Sequence, residues 1–384
     1  MSDATGQPPV GESFGDALAR ATQPPRVVPA LVALNVIVFV ATALAGAGVL
    51  SPQPAVHVRW GSNFGPLTAD GEWWRVVTGT FLHFGVVHLA LNMWVLWDAG
   101  RLAERLFGAG AFLFIYVAAA AVASLASVAW NPWVNSAGAS GAIFGVIGAL
   151  LVYMADRSHG VPFTVMRAHR NSLLVFAAYS LLFGLLASGV DNAAHLGGLA
   201  TGGLLGWLLG RPVLPRPKAP GTARWAIAVA GSLAAAVALA AGLRNVGPEY
   251  RAEQAFRGAL DRVAAESRAL LDEREQLGRE LREGLRAPGD VSTALEGQSA
   301  RWEAQRAALA APRLAPEGPL PSLQAGLVRY ATLQRDVAHL MAEVVQDGQP
   351  ERMEALRKAQ QTLRATEADL EAALEAARQA RPER

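Results

Sequence analysis

Between residues 27 and 243 the chain is a succession of apolar stretches, and this pattern limits its fold more than any other feature. A helix needs about 20 apolar residues to cross a bilayer, and hydrocarbon admits only backbones that satisfy their own hydrogen bonds. Seven stretches approach that length: 28–49, 80–98, 110–130, 139–155, 172–190, 193–210 and 224–243. Several are short or interrupted by glycine, which predicts helices buried among others rather than facing lipid throughout. The expected fold class is all-α, a polytopic membrane helix bundle.

Loop charge predicts the orientation. Basic residues gather at Arg20 and Arg26, at Arg101 and Arg105, at Arg157, Arg167 and Arg170, and at Arg211, Arg216, Lys218 and Arg224. With seven spans all four groups fall on one side, which the positive-inside rule makes cytoplasmic. The opposite loops are poor in charge: 131–138 has none and 188–192 only Asp191. The N-terminus is then cytoplasmic and the chain beyond the seventh span extracytoplasmic. The first 26 residues are polar and lack the pattern of a signal peptide, so the stretch from Val27 reads as a retained helix. The outer loop 50–79 holds Trp60, Phe64, Trp73 and Trp74 and is expected to lie partly in the membrane interface.

Polar residues inside apolar stretches are expensive and mark function. Ser140 stands at the mouth of the fourth stretch, flanked by Gly138 and Gly141. His83, His88 and Asn92 lie in the second, with His88 and Asn92 four apart and so on one helix face. His195 lies in the sixth, ahead of glycines at 198, 202, 206 and 210, a bare ridge that lets another backbone approach. Gly141, Gly145 and Gly148 offer the matching face, so pairing the two helices is expected to bring imidazole towards hydroxyl. Ser140 alone reads as a packing serine, and His88 or His195 alone as a satisfied interior histidine. The four polar residues together, on three helices, favour a site.

A serine hydroxyl needs a base, for which His195 is the candidate. No carboxylate lies within these stretches to orient it, so a Ser-His dyad is expected, with Asn192 a candidate to hold the ring. Oxyanion donors would be the Ser140 amide at a helix start, His88 and Asn92. The order G-x-S-G, with no strand before it, excludes the nucleophile elbow of an α/β-hydrolase. No H-E-x-x-H is present and no carboxylate stands near the three histidines, so no metal is expected. The chain has no cysteine, hence no disulfide and no thiolate-held metal.

These motifs resemble the rhomboid family of intramembrane serine proteases. The resemblance runs from about Glu72 to Gly210 and comprises Trp74-Arg75, HFGVVHLALN over 83–92, Gly100-Arg101 with Glu104, the G-A-S-G of 138–141, and Ala194-His195 with Gly198 and Gly202. It implies Ser140 as nucleophile, His195 as general base, and an oxyanion hole from His88, Asn92 and the Ser140 amide. It also implies cleavage of single-span membrane proteins in the lipid bilayer, without a cofactor. The family's six-helix core would occupy 27–212, and 213–243 would be a linker and a seventh span. Phe144 stands where bacterial members carry a tyrosine that stacks on the catalytic histidine. It keeps the ring and loses the hydroxyl, a change expected to be tolerated. Ala137 occupies a position that is often glycine. A bacterial inner membrane is the expected location.

From residue 244 to 384 the chain is charged and amphipathic, with stripes through Phe256 to Leu285, Leu323 to Val344, and Met353 to Leu374. A weaker run covers 292–311, Pro288-Gly289 is expected to break the helix before it, and Pro312 to Pro321 to act as a linker. This predicts a soluble helical bundle or coiled coil serving substrate recruitment or self-association; a passive appendage is the plainer reading. The tail holds 21 basic and 23 acidic residues and the remainder 13 and 9, so neither half has the one-signed charge of a nucleic-acid binder. Two rivals to the enzyme are a non-catalytic rhomboid-like protein that binds membrane clients, which would typically lack the serine or histidine, and a transporter. Few buried charges and no internal repeat argue against the transporter.

Overall fold

The computed structural model describes residues 14–156, 163–186, 189–213, 219–316 and 319–379. Residues 1–13 of the polar N-terminal segment, Arg157, Arg216 and Lys218 of the basic groups, residue 188 of the 188–192 loop and 317–318 of the Pro-rich linker lie outside them. The described chain is almost wholly helical and divides into two compact units, Met1–Gly247 and Pro248–Arg384.

The first unit opens with α1 (Phe14–Ala21) and α2 (Val27–Thr42), which ends in a π-type turn, Ala43–Ala47. The loop that follows is built of short pieces: α3 (Pro54–Arg59), β1 (Asn63–Phe64), α4 (Gly65–Ala69), α5 (Arg75–Thr78) and a 3-10 turn, Gly79–Phe81. Buried Arg75 holds them together, donating to the carbonyls of Val58 at 2.6 Å and Ser62 at 3.1 Å while pairing with Glu72 at 2.6 Å. Trp60, Trp73 and Trp74 remain exposed. Then follow α6 (Val86–Phe107), α7 (Ala109–Trp130), β2 (Asn135–Ser136), α8 (Ser140–Ala155), α9 (Phe163–Leu186), α10 (Asn192–Leu209) and α11 (Thr222–Ala241). β2 pairs antiparallel with β1, Ser136 opposite Asn63.

The second apolar stretch is not the single helix expected over 80–98. The helical pieces Arg75–Phe81 and Val86–Phe107 meet at 94°, and His83 lies in the break. α6 then runs on to Phe107, so the charges from Asp98 to Arg105 stand within it. Glu104 caps another helix. Its buried carboxylate accepts the N–H groups of Arg26 at 2.7 Å and of Val27 and Val28 at 2.9 Å, at the start of α2. A helix start exposes N–H groups and partial positive charge, which a carboxylate from any element can meet.

α8 lies at the centre, buried from Gly141 to Leu150 between α7 and α10. A Cβ on Gly198 would fall on the Gly141 carbonyl, one on Gly202 on the Gly145 carbonyl, and one on Gly206 2.5 Å from Ala149 Cα. Both sequences advance in steps of four through these contacts, so α8 and α10 run parallel with their starts at one end. On its other side α8 turns Gly141 and Gly145 to Ala123 and Ala119 of α7.

By length and composition, four described helices suffice to cross a membrane: Val27–Ala47, Ala109–Trp130, Met166–Leu186 and the run Thr222–Arg282 that contains α11; the bent pair at α6 would be a fifth. Two of the seven expected spans, α8 and α10, fall outside this set. At 16 residues α8 is about 24 Å long, short of the ~30 Å hydrocarbon core. It is buried among protein neighbours from Gly141 to Leu150, which removes the need to span alone.

The second unit contains most of α12 (Val246–Arg282) with α13 (Pro288–Ala310), α14 (Leu320–Asp347) and α15 (Pro350–Gln379). Its larger apolar cluster joins Phe256, Val263, Trp302, Leu323 and Leu327, and a smaller one joins Leu277, Val291, Leu295 and Ala342. A polar layer lies between the two: Arg274 donates to Gln334 Oε1 at 2.7 Å and Gln298 Oε1 at 3.3 Å. Pro288 does not merely break a helix. It opens α13, where a missing N–H costs nothing, and the turn before it uses Gly284 at φ +70°.

Candidate active site

Ser140 is the first residue of α8, and His195 stands one turn into α10. Because the two helices run parallel at backbone contact, both residues come to the same end of the unit. Ala194 packs beside Gly141, 3.7 Å from the position of an added Cβ. The imidazole of His195 lies flat on Phe144, ring centroids 4.1 Å apart and planes within 4°. Phe144 is one turn beyond Ser140 and is itself braced by Phe176 of α9, 6.2 Å away. His195 is therefore buried and seated on a ring of the helix that Ser140 opens.

The loop before Ser140 meets the start of α6. Gly138 takes φ +135° and donates its N–H to the Gly79 carbonyl at 2.9 Å. A Cβ here would stand 2.8 Å from Cε1 of His88, so the His88 ring occupies the space that glycine leaves. The 94° break turns His83 back onto the same place: its ring meets His88 edge-on at 5.1 Å, and its Nε2 lies 3.5 Å from the N–H of Ala139. Five residues apart, the two histidines share no helix face, and the bend brings them together. The His83 carbonyl is in turn bonded to buried His57 Nε2 at 3.1 Å. Asn92, buried one turn after His88, donates its amide to the His88 carbonyl at 2.9 Å. At the start of α8, the N–H groups of Ser140, Gly141 and Ala142 precede the first intrahelical bond, from Ile143 to Ala139.

Asn192 does not hold the His195 ring. Its amide donates to the Leu181 carbonyl at 3.1 Å and its oxygen faces Gly184, both in α9. Residues three apart on a helix are neighbours, but here the Asn192 amide is taken by an acceptor on α9. The residue that sequence reasoning passed over is Asp191. It caps α10, Oδ1 accepting from the Ala194 N–H at 2.9 Å, while Oδ2 accepts from Ser136 Oγ at 2.7 Å. The available signal was its place as the single charge in a loop one turn before a buried histidine. Among the described residues, no three His, Asp or Glu side chains group closely enough to hold a metal ion.

The opposite end of the unit is the basic one. The Glu104 cap joins the start of α2 to the last turns of α6, and Arg105 reaches Thr22 at 3.0 Å. Tyr153, late in α8, donates to the Arg211 carbonyl just past α10 at 2.9 Å. Ser140 and His195 thus lie at the end away from Arg26, Arg105 and Arg211.

Comparison with known proteins gives a consistent family. The profile of the Rhomboid domain matches residues 70–212. The rhomboid protease GluP of Bacillus subtilis is 39% identical over 182 residues, 47% of this chain and 34% of its own length. The rhomboid protease AarA of Providencia stuartii is 32% identical over 196 residues, 46% of this chain and 69% of its own. The putative rhomboid protease YdcA of Bacillus subtilis is 32% identical over 150 residues, 38% of this chain and 72% of its own. The chain thus spans about a third of the first relative and about seven tenths of the other two.

Proposed function

We propose that this chain, which belongs to the rhomboid family, is an intramembrane serine endopeptidase. It is an integral membrane protein, and the observation that carries the reading is the seat of His195 on Phe144, one turn from Ser140. Ser140 Oγ attacks the scissile carbonyl while His195 takes its proton. The developing oxyanion is met by the Ser140 N–H at the positive end of α8, with His88 and Asn92 beside it. His195 then passes the proton to the leaving amine, and water hydrolyses the acyl-enzyme with His195 again as base. His83 holds the His88 ring in place. Gly138 and Gly141 give room for the substrate backbone, and Phe144 fixes the plane of the imidazole.

The substrates are single-span membrane proteins. A carbonyl within a helix is hydrogen-bonded and shielded, so cleavage favours segments weakened by glycine or proline near the cut. α11 serves as a seventh span after a core of six over 27–212, with a linker from 213. The N-terminus is cytoplasmic, the C-terminal helical domain extracytoplasmic, and the membrane a bacterial inner membrane. This orientation rests on the basic end of the unit and puts Ser140 towards the outer face. The C-terminal domain, of coiled-coil type, recruits substrates or a second copy.

The test pairs wild type with Ser140→Ala in liposomes, using a fluorescent single-span substrate and a fluorophosphonate probe. Cleavage and labelling that vanish together in the variant are the expected result. Folded wild type that neither cleaves nor labels across several substrates would favour client binding over catalysis.

A further inference from the structure

We infer that Asp191 and Ser136 form a clasp that sets the distance between the nucleophile and its base. This rests on the protease reading of Ser140 and His195. One carboxylate oxygen of Asp191 ends α10 by accepting from the Ala194 N–H at 2.9 Å, and the other accepts from Ser136 Oγ at 2.7 Å. Ser136 lies in β2, four residues before Ser140, and Asp191 lies four residues before His195. A hydrogen bond between chain segments 55 residues apart thus stands at equal remove from the two reacting side chains.

Each side of the clasp is anchored. On the nucleophile side, Ser136 pairs with Asn63 of β1, whose side chain donates to the Ser124 carbonyl of α7 at 2.8 Å, and Gly138 is bonded to Gly79. On the base side, the Asp191 carbonyl accepts the His195 N–H at 3.1 Å, so its own residue and the base share one helical turn. The closest contacts between α8 and α10 fix their spacing from Gly141 and Gly198 onward, with Ala194 in ordinary contact with Gly141. Ahead of that point the short bond between Ser136 and Asp191 ties the two segments. Asp191 and Ser136 touch no reacting atom and are positioning residues.

A misplacement of about 1 Å between nucleophile and base costs up to ~100-fold in rate. Ser136→Ala and Asp191→Ala should each lower kcat about 10-fold or more with KM unchanged, and slow fluorophosphonate labelling equally. The double variant should be no slower than Asp191→Ala, because both changes open one contact. Asp191→Asn keeps an oxygen for Ala194 and an amide for Ser136, whose hydroxyl can accept as well as donate, and should retain most of kcat. Hydrogen exchange over residues 135–140 should quicken in Asp191→Ala, a readout that needs no activity. Ser136 lies outside the helix cap, so its variant stands even if Asp191→Ala melts the fold. Wild-type kcat in folded Ser136→Ala, with exchange over 135–140 unchanged in Asp191→Ala, would overturn the clasp. So would Asp191→Asn as slow as Asp191→Ala, which assigns the effect to charge. Wild type that neither cleaves nor labels would instead remove the protease reading, and the exchange result would still decide the contact.

Discussion

The two units of this chain pack by opposite means. In the first, backbone meets backbone: Gly198 and Gly202 lie on the carbonyls of Gly141 and Gly145, and buried polar side chains reach for main-chain atoms. Glu104 takes three N–H groups, Arg75 reaches two carbonyls and Asn63 a third. In the second, side chain meets side chain. Large apolar groups such as Phe256, Trp302 and Leu323 fill the interior, and Arg274 is satisfied by the side-chain oxygens of Gln298 and Gln334. The difference matches the proposed reading, in which the first unit is built for lipid and the second for water. Between helices in lipid there is little hydrophobic force, so close approach and satisfied backbone carry the fold. In water an amphipathic helix is held by the area its apolar stripe buries.

The largest expected effect tests whether that division is also a division of stability. Trp302 is fully buried in the second unit and meets Tyr330 edge-on at 5.9 Å. Trp302→Ala should cost about 3–5 kcal/mol, enough to unfold a domain of ordinary stability. The fluorophosphonate labelling of Ser140 should persist, because the first unit has its own core. Circular dichroism in detergent, followed beside labelling, separates the two. Loss of both signals in one transition would break the comparison.

A single methyl group sharpens it further by changing sign between the units. Gly202→Ala puts a Cβ onto the Gly145 carbonyl, which only a shift of backbone can relieve. Overpacking of this kind costs about 1–3 kcal/mol, and cleavage should fall with it, since the same contact brings α8 and α10 together. Gly297→Ala makes the same change in α13, where an added Cβ meets nothing within 4 Å. There helix propensity alone acts, and the variant should be stabilised by roughly 0.5–1 kcal/mol. Thermal melts of both variants check the pair. A neutral Gly202→Ala would mean that the glycine ridge is not what holds α10 to α8.

The ridge itself was legible in the sequence, because a period of four glycines in an apolar stretch has few other meanings. So was the company of Ser140, His88, Asn92 and His195, each a polar group where polar groups are costly. What escaped was direction and distance. Asn192 stood beside His195 in sequence but turns its amide to the Leu181 carbonyl of α9. Glu104 lies within its own helix and caps α2, a partner 76 to 78 residues away. The bend before Val86 was hidden in a stretch whose hydropathy is continuous; Gly85, at φ +91°, is its mark. Asp191 and Ser136 were invisible as a pair, since two short polar side chains in separate loops carry no periodicity to join them.

The smallest effect compares two carboxylates. Glu104 is buried and meets backbone N–H groups, whereas Glu303 lies at the surface and meets two arginines, Arg306 at 2.5 Å and Arg335 at 2.9 Å. Hydrogen bonds from Arg306 first and Arg335 second hold the Glu303 carboxyl at about 2, below its ordinary 4.5. A carboxylate depressed on folding stabilises above its unfolded value, and that contribution is lost as pH falls from about 4.5 towards about 2. Solvent screens an exposed pair of this kind, so the melting transition of the second unit should drop over this window by only about a degree on this account. The measurement is the difference between wild type and Glu303→Gln, melted at pH 6 and pH 3 in low and high salt. The wild-type advantage should be present at pH 6, shrink at pH 3 and shrink again in salt. An advantage as large at pH 3 as at pH 6 would mean that Glu303 does not act through its charge.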